Sequence, residues 1–131
     1  MPTNGKCLLD TNIVIALFAS EAGVIDNLAK MDEVFVPSIV AGELYYGAMK
    51  SSRIQENLRR IDEFITNSNV LGCDTDTAQQ YAKVKDAARL KGRPLPENDI
   101  WIAAVALQCD LELIARDMHF GGIENLKTAA W

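Results

Sequence analysis

The stretch Lys6–Asn12 constrains the fold more than any other part of the chain. A short apolar run ends abruptly in Asp10, Thr11 and Asn12, and a second apolar run begins at once with Ile13. The first run is too short for a helix and predicts a buried strand, whereas the second predicts a helix. An acid directly after a strand lies at the sheet edge where α/β proteins bind ligands. Asp10 or Thr11 could instead only cap the helix, which is the commoner role of such residues.

Size and composition predict one globular domain over residues 1–131, because 49% of the residues are hydrophobic and 24% are charged. No apolar stretch reaches the roughly 18 residues of a membrane span, and residues 1–6 lack the features of a signal peptide. The three cysteines are widely spaced and form neither a metal-binding nor a disulfide pattern. Together these features predict a cytoplasmic protein without a membrane partner.

The net charge of −5 argues against a general nucleic-acid coat protein, which should be basic. It does not argue against a nuclease, since acids that bind divalent cations lower the charge without repelling the substrate. Basic residues also cluster in two stretches, which either bind phosphate or form solvated helix faces. These stretches contain Lys50, Arg53, Arg59 and Arg60, and Lys83, Lys85, Arg89, Lys91 and Arg93.

Apolar periodicity and helix-breaking residues predict helices that alternate with strands. The helices are predicted at about 13–19, 20–31 with a break at Gly23, 38–50, 52–66, 75–90 and 98–108. The strands are predicted at about 7–9, 34–36, 70–71, 111–115 and 126–127, and residues 121–122 are predicted as loop. The predicted helix caps are Ser38, Ser51 or Ser52, Gly92 and Asn98, and Thr75 or Asp76 is predicted to begin the fifth helix. Such alternation predicts an α/β fold with a mainly parallel sheet.

Four acids converge in this topology. Asp10 and Asp117 each follow the carboxyl end of a strand, so parallel strands place both at one edge of the sheet. Asp99 begins the helix that leads into the strand before Asp117, so that helix must start at the same edge. Glu43 lies about one and a half turns into the helix after the second strand, roughly 7 Å from its start. The sequence therefore predicts four carboxylates in one crevice.

Each acid also has a simpler explanation, although Glu43 resists it. Asp99 could complement the helix dipole, and Asp117 could begin a turn. Glu43 lies on a largely apolar helix face and is too far from Ser38 to close a capping box. A carboxylate on such a face needs a partner, and no nearby Lys or Arg of that face supplies one.

Four clustered carboxylates would raise one another's pKa values unless a cation lay between them. Mg²⁺ or Mn²⁺ suits such oxygen ligands, whereas zinc prefers His or Cys, and His119 is the only histidine. The chemistry typical of such a pocket is metal-assisted phosphodiester hydrolysis. The sequence contains no evident Ser-His or Cys-His pair and no Gly-rich phosphate loop.

Four motifs, in order and with the usual spacing, resemble the PIN domain and, more narrowly, the VapC toxins of bacterial toxin–antitoxin pairs. They are LLDTN at 8–12, VAGEL at 40–44, NDIWIAA at 98–104 and ARDMHF at 115–120. The resemblance spans essentially the whole chain. It implies a PIN-like three-layer α/β/α sandwich around a mainly parallel sheet of four or five strands.

The resemblance also implies an activity and partners. It implies a homodimeric endoribonuclease that depends on Mg²⁺ or Mn²⁺ and cleaves structured RNA such as tRNA or ribosomal RNA. It further implies inhibition by a cognate VapB-type antitoxin whose C-terminal segment crosses the active-site groove, with a higher assembly of toxin and antitoxin. The positions that match the acidic quartet of the family are Asp10, Glu43, Asp99 and Asp117.

Other positions match the family less completely. Thr11 and Asn12 match the polar residues beside the first acid. Many relatives carry Thr or Ser two positions before the last acid, where this chain has Ala115, so no hydroxyl can act there. Arg116 and Arg93 either contact phosphate at the rim or are ordinary surface residues.

His119 and three aromatic residues have two interpretations each. His119 could act as a general base, but a lone histidine beside Phe120 is more often structural. The aromatic residues either stack on bases or pack in the core or a dimer interface, which is the commoner role. They are Trp101, Tyr45 and Tyr46.

These observations favour an RNA endonuclease toxin in which Asp10, Asp99 and Glu43 hold the principal metal. Asp117 would help to position a second metal or the water. One alternative is a nuclease of the same fold that serves RNA processing or repair without an antitoxin. Two others are a phospho-acceptor signalling domain, whose characteristic lysine no strand end supplies here, and a catalytically inactive binding module.

Overall fold

The computed structural model describes residues 5–131, which fold into five strands, six α-helices and one 3₁₀ turn. The strands are β1 (Lys6–Leu9), β2 (Glu33–Pro37), β3 (Asn69–Leu71), β4 (Glu112–Ile114) and β5 (Thr128–Ala129). The helices are α1 (Thr11–Phe18), α2 (Ala22–Ala29), α3 (Ser38–Met49), α4 (Ile54–Thr66), α5 (Thr75–Leu90) and α6 (Glu97–Cys109), and the 3₁₀ turn is Met118–Gly122. The prediction about a signal peptide concerns residues 1–6, of which 1–4 lie outside the described residues.

β1 is the central strand of a five-stranded sheet with the order β3-β2-β1-β4-β5. Every pairing is parallel, and β1 pairs with β2 on one side and with β4 on the other. Cys7, Leu8 and Leu9 are 0% exposed, as expected for a strand that is covered on both faces. The predicted parallel α/β sheet is therefore confirmed, with five strands.

The chain reverses direction across the sheet, and this reversal creates the crevice. It runs outward from β1 to β2 and β3, then returns to the other side of β1 to form β4 and β5. Because parallel crossovers are right-handed, the helices before and after this return cover opposite faces. The result is the predicted three-layer sandwich. Its switch point lies between β1 and β4, where ligands bind in folds of this class.

The N-cap residues of three helices lie one or two positions away from the predicted caps. The observed N-cap residues are Pro37, Arg53 and Pro96, in place of Ser38, Ser51 or Ser52, and Asn98. None of the three supplies a side-chain capping hydrogen bond. At the two proline positions the ring has no N–H and disfavours helical geometry in the residue before it, so the helix starts directly after the proline.

Three further predictions are corrected at turns and ends. α2 runs without a break, and Gly23 lies in its first turn, where few helical hydrogen bonds depend on it. Gly121 and Gly122 belong to the 3₁₀ turn. The last strand lies at Thr128–Ala129 and not at the predicted residues 126–127. Leu126 still belongs to a turn, in which its N–H donates to the Ile123 carbonyl.

Within residues 5–131, no single helix is long and apolar enough to cross a membrane. α1 and α2 have eight residues each. Only together do they meet the length and composition criteria, and they are bent by 108° at the break between them.

A buried polar network joins the start of α5 to α6. α5 begins at Thr75, as predicted, and its N-cap is Asp74. Asp74 Oδ1 accepts the Thr77 N–H at 3.1 Å, and the Asp74 N–H donates to Thr77 Oγ1 at 2.9 Å. The Thr77 hydroxyl, which is 0% exposed, donates to Gln108 Oε1. Gln108 Nε2 donates in turn to Asp74 Oδ1 at 2.9 Å.

Replacing Thr77 with Val keeps the side-chain shape but leaves the Asp74 N–H and the Gln108 carbonyl without their partner. We expect the free energy of unfolding to fall by about 1–3 kcal/mol, measured by urea denaturation. Thr75→Val, at the exposed first position of the same helix, is the matched control and should change it by less than about 0.5 kcal/mol. Equal losses in both variants would contradict a specific role for the buried hydroxyl.

Candidate active site

The four predicted acids come from four different elements that meet at the carboxyl end of β1. Asp10 follows β1 directly, and Asp117 is the N-cap of the 3₁₀ turn after β4. Asp99 lies in the first turn of α6, and Glu43 lies in the second turn of α3. The other three carboxylates all act electrostatically on Asp10. The structure therefore brings the predicted quartet together.

Asp10 is held rigidly by backbone pairing. Its N–H donates to the Ile114 carbonyl at 3.0 Å, which extends the pairing of β1 with β4 by one residue. The residue occupies the N-cap position of α1, yet its carboxylate makes no capping hydrogen bond. The simpler interpretation of Asp10 as a helix cap is therefore not supported, and its carboxylate is left for another role.

Burial raises the pKa of Asp10 to about 6, since the residue is only 6% exposed. The neighbouring carboxylates of Asp99, Glu43 and Asp117 contribute to this raised pKa, while a hydrogen bond from the Thr11 backbone N–H lowers it. The pKa of Asp99 is also raised, first by burial and then by Asp117, against a hydrogen bond from His119. A bound cation would remove this electrostatic conflict.

Glu43 has the partner that its sequence position required. The Thr11 hydroxyl donates to Glu43 Oε1 at 2.6 Å, so the first residue of α1 fixes a carboxylate of α3. Its helical neighbours Val40 and Leu44 are buried in the core. Asn12, the other predicted supporting residue, is exposed beside Thr11 at the start of α1.

His119 lies within the acidic cluster. The sequence favours a structural role for it and does not predict this position. His119 Nδ1 is 2.9 Å from Asp117 Oδ1 and 3.5 Å from Asp99 Oδ2. Its backbone N–H also donates to Asp117 Oδ1 at 2.9 Å. The sequence signal for this contact is that His119 lies two positions after Asp117. An acid that caps a turn commonly accepts a hydrogen bond from the backbone N–H two positions later.

The donor set fits a divalent cation. One ligand atom from each of Asp99, Asp117 and His119 lies within 4.8 Å of the other two. Carboxylate oxygens suit Mg²⁺ and Mn²⁺, and such an ion would relieve the repulsion that raises the pKa of Asp10. The sequence predicted Asp10, Asp99 and Glu43 as the principal metal ligands. In the structure Asp117 is grouped with Asp99, whereas Glu43 accepts a hydrogen bond from Thr11.

Arg116 is bonded within the fold. Its Nη2 lies 2.7 Å from Glu21 Oε1, and its Nε donates to the Trp131 carbonyl at 3.0 Å. The guanidinium thus joins β4 to the start of α2 and to the last residue of the chain. The preceding residue, Ala115, is buried.

The three aromatic candidates also have internal partners. Trp101 stacks on Tyr81 with ring centroids 4.1 Å apart and planes at 19°. The Tyr45 hydroxyl donates to Asp62 at 2.6 Å. Tyr46 is 64% exposed, and Lys50 Nζ lies 4.5 Å from its ring centre.

A groove of about 250 Å³ runs between α1, α3 and α4 and reaches the acids at one end. Thr11 and Glu43 line that end. Ile15 and Phe18 line it from α1, and the Ile15 side chain is 51% exposed. Arg60 also lines the groove and lies over the Phe18 ring at 5.2 Å. The groove is therefore apolar, with a cation beside it.

Comparisons with known proteins agree with this geometry. The family model described as the PIN domain matches residues 7–125. Ribonuclease VapC2 of Haemophilus influenzae is 31% identical over 131 residues, covering 96% of this chain and 98% of that protein. The tRNA(fMet)-specific endonuclease VapC of Shigella flexneri is 27% identical, with coverage of 96% and 98%. A chain in the crystal structure of Rickettsia felis VapBC2, bound to a promoter DNA fragment, superposes with a TM-score of 0.89 at 27% identity, covering 96% of this chain and 98% of that chain. The chain therefore belongs to the PIN-domain family and, within it, to the VapC proteins.

Proposed function

We propose that this protein is a metal-dependent endoribonuclease and the toxin of a VapBC-type toxin–antitoxin pair, formed by a single domain over residues 1–131. The observation that carries the proposal is the burial of Asp10 among three other carboxylates. The names of the relatives support it, since they include ribonucleases and a tRNA-specific endonuclease. The substrate would be a structured RNA, either tRNA or ribosomal RNA.

The catalytic and metal-binding residues in this proposal are Asp10, Glu43, Asp99 and Asp117. Asp10 presents its carboxylate from the rigid end of β1, and Thr11 orients Glu43 through its hydroxyl. His119 orients Asp117 through its ring and its backbone N–H. Mg²⁺ or Mn²⁺ bound by these groups would neutralise charge on the scissile phosphate and lower the pKa of the attacking water. We assign neither Arg116 nor Asn12 a direct role.

Replacing any one of the four acids with its amide should abolish metal-dependent RNA cleavage while keeping the side-chain shape. The loss of several kcal/mol of transition-state stabilisation corresponds to a rate at least about 100-fold lower. The measurement is cleavage of total bacterial RNA in Mg²⁺, in Mn²⁺ and in EDTA. Glu63→Gln, on the exposed face of α4, is the charge-matched control and should cut like the wild type. Cleavage by Asp10→Asn at the wild-type rate would refute the assignment.

The raised pKa of Asp10 gives a prediction about stability and pH. Between its ordinary value of 3.8 and about 6, the folded protein keeps a proton that the unfolded chain has lost. The free energy of unfolding without metal should therefore fall as the pH rises through this interval. Asp10→Asn should be more stable than the wild type at pH 7 in EDTA, and the difference should shrink towards pH 4.

Thermal unfolding in EDTA across this pH range measures the effect, with Glu63→Gln, which retains Asp10, as the control that should keep the pH dependence of the wild type. Addition of Mn²⁺ at pH 7 should stabilise the wild type more than Asp10→Asn, because binding to the folded state alone raises stability. A stability difference that stays constant with pH would contradict the assigned electrostatic cause.

We further propose that the chain forms a homodimer and that a cognate VapB-type antitoxin binds it in a higher assembly. Structural relatives are VapBC complexes, such as those from Rickettsia felis and Haemophilus influenzae. The apolar groove between α1, α3 and α4 is suited to an extended or helical segment that ends at Glu43. Such a segment would cover the acids and block access of RNA.

Ile15→Glu should weaken antitoxin binding, because it places a charge in the middle of the apolar groove. The control is Leu90→Glu, since Leu90 is 70% exposed at the end of α5 and does not line the groove. The measurement is co-purification with the product of the small neighbouring gene after co-expression. Equal retention by both variants would place the antitoxin elsewhere, and the lack of any co-purifying partner would favour a processing or repair nuclease.

A further inference from the structure

A second and larger cavity adjoins the acidic cluster on the side of α5. Its volume is about 690 Å³, and it is bounded by α5, the loop before α6 and the segment from the 3₁₀ turn to Asn125. Met118 and His119 line it, and His119 also contacts Asp99 and Asp117. The cavity is therefore continuous with the proposed site of cleavage, but it contains none of the four acids.

Three cations line this cavity, and one of them, Lys91, donates from Nζ to the Gly122 carbonyl at 3.1 Å. They are Lys83, Lys91 and Arg93, and among the described residues none of them forms an ion pair. Two other cations of α5, Lys85 and Arg89, are paired with acids at 2.8 Å and 2.6 Å. In a chain of net charge −5, three cations without an ion-pair partner therefore lie together at one cavity, which favours an anionic ligand there.

The cations follow the helix along the cavity. Lys83 and Lys91 are separated by two intervals of four residues, with Ala87 between them on the same face of α5. At 1.5 Å per residue they span about 12 Å. Arg93 extends the row beyond the C-terminal end of the helix. A row of this length suits a polyanionic strand better than a single small anion.

The interior of the cavity is apolar, and its one lining carboxylate is Glu124. Val84 and Ala88 are buried at its floor, and Leu95 and Ile123 also line it. This combination of an apolar floor and a cationic rim matches a nucleotide, which has an apolar base face and a charged phosphate.

We propose that this cavity binds a nucleotide of single-stranded RNA next to the bond that is cleaved. The flanking phosphates contact Lys83, Lys91 and Arg93, and the base lies against the apolar floor. Contacts to phosphate fix where a strand lies and carry no sequence information, so the cavity sets the position of the cut. The proposal rests on the proposed function, because it requires an RNA that is cleaved at the acidic cluster.

The first test separates these cations from general electrostatic attraction. A short fluorescein-labelled single-stranded RNA is titrated with the full chain in EDTA, where the proposed cleavage cannot occur, at several KCl concentrations. Log affinity falls as log salt rises, and each lost phosphate contact should reduce the steepness of this fall by about 0.7. Lys83→Gln/Arg93→Gln should therefore make the slope less negative by about 1.4. Lys30→Gln/Arg59→Gln removes the same charge from exposed positions outside the cavity and should leave the slope near that of the wild type.

The second test addresses the cavity itself without a change of charge. Ala87→Phe places a ring in the cavity, whereas Ala82→Phe places the same ring on an exposed part of α5 that does not line it. We expect Ala87→Phe to lose at least tenfold in RNA affinity, which corresponds to about 1.4 kcal/mol. Its salt slope should be unchanged. Ala82→Phe should bind like the wild type.

Three outcomes would overturn the proposal: equal salt slopes for the two double variants, wild-type affinity of Ala87→Phe, or no RNA binding by the wild type. Binding of a poly-glutamate peptide that depends on Lys83 and Arg93, with RNA binding unaffected, would identify an acidic protein segment as the occupant. Cleavage in Mg²⁺ or Mn²⁺ is measured separately. If the wild type does not cleave but the expected slopes are observed, the proposed function fails and the RNA site remains.

Discussion

The buried carboxylate of Asp10 at the end of the central strand is the feature on which the rest of the site depends. A charged group is costly to bury, and here three further carboxylates add to the cost. The fold tolerates it because β1 is paired on both sides and its last three residues, Cys7, Leu8 and Leu9, are fully buried. The free energy gained by burying the apolar core thus offsets the cost of burying the clustered carboxylates. Such a balance is common at functional sites.

Much of this arrangement could be predicted from the sequence. The apolar run before Asp10 predicted a buried strand, and the strand–helix alternation predicted the parallel sheet, so the four acids could be placed at one edge. The position of Glu43 on an apolar face indicated that it had a partner, and the structure identifies that partner as the Thr11 hydroxyl. These inferences succeeded because they depend on periodicity and on the direction of parallel strands, which local sequence determines.

Other features could not be predicted, because they depend on contacts between distant elements. The sequence leaves His119 with two interpretations, because its distance to Asp99 depends on how the 3₁₀ turn packs against α6. The pairing of Arg116 with Glu21 joins residues that are far apart in the sequence. The basic stretch at 83–93 had two interpretations, and the structure divides it between cations paired with acids and cations that line a cavity. The N-caps of α3 and α6 lie one and two residues before the predicted Ser38 and Asn98, because a proline precedes each helix and determines where it starts.

The neighbour of β1 on the side of the switch point, β4, comes from near the opposite end of the chain. Asp10 is synthesised well before Asp99, Asp117 and β4. A nascent chain that has not yet reached β4 therefore lacks Asp117 and the strand that pairs with β1 on that side. Closing so long a loop is also an intrinsically late event in folding. An activity built on this topology would therefore be absent until β4 and Asp117 had been synthesised.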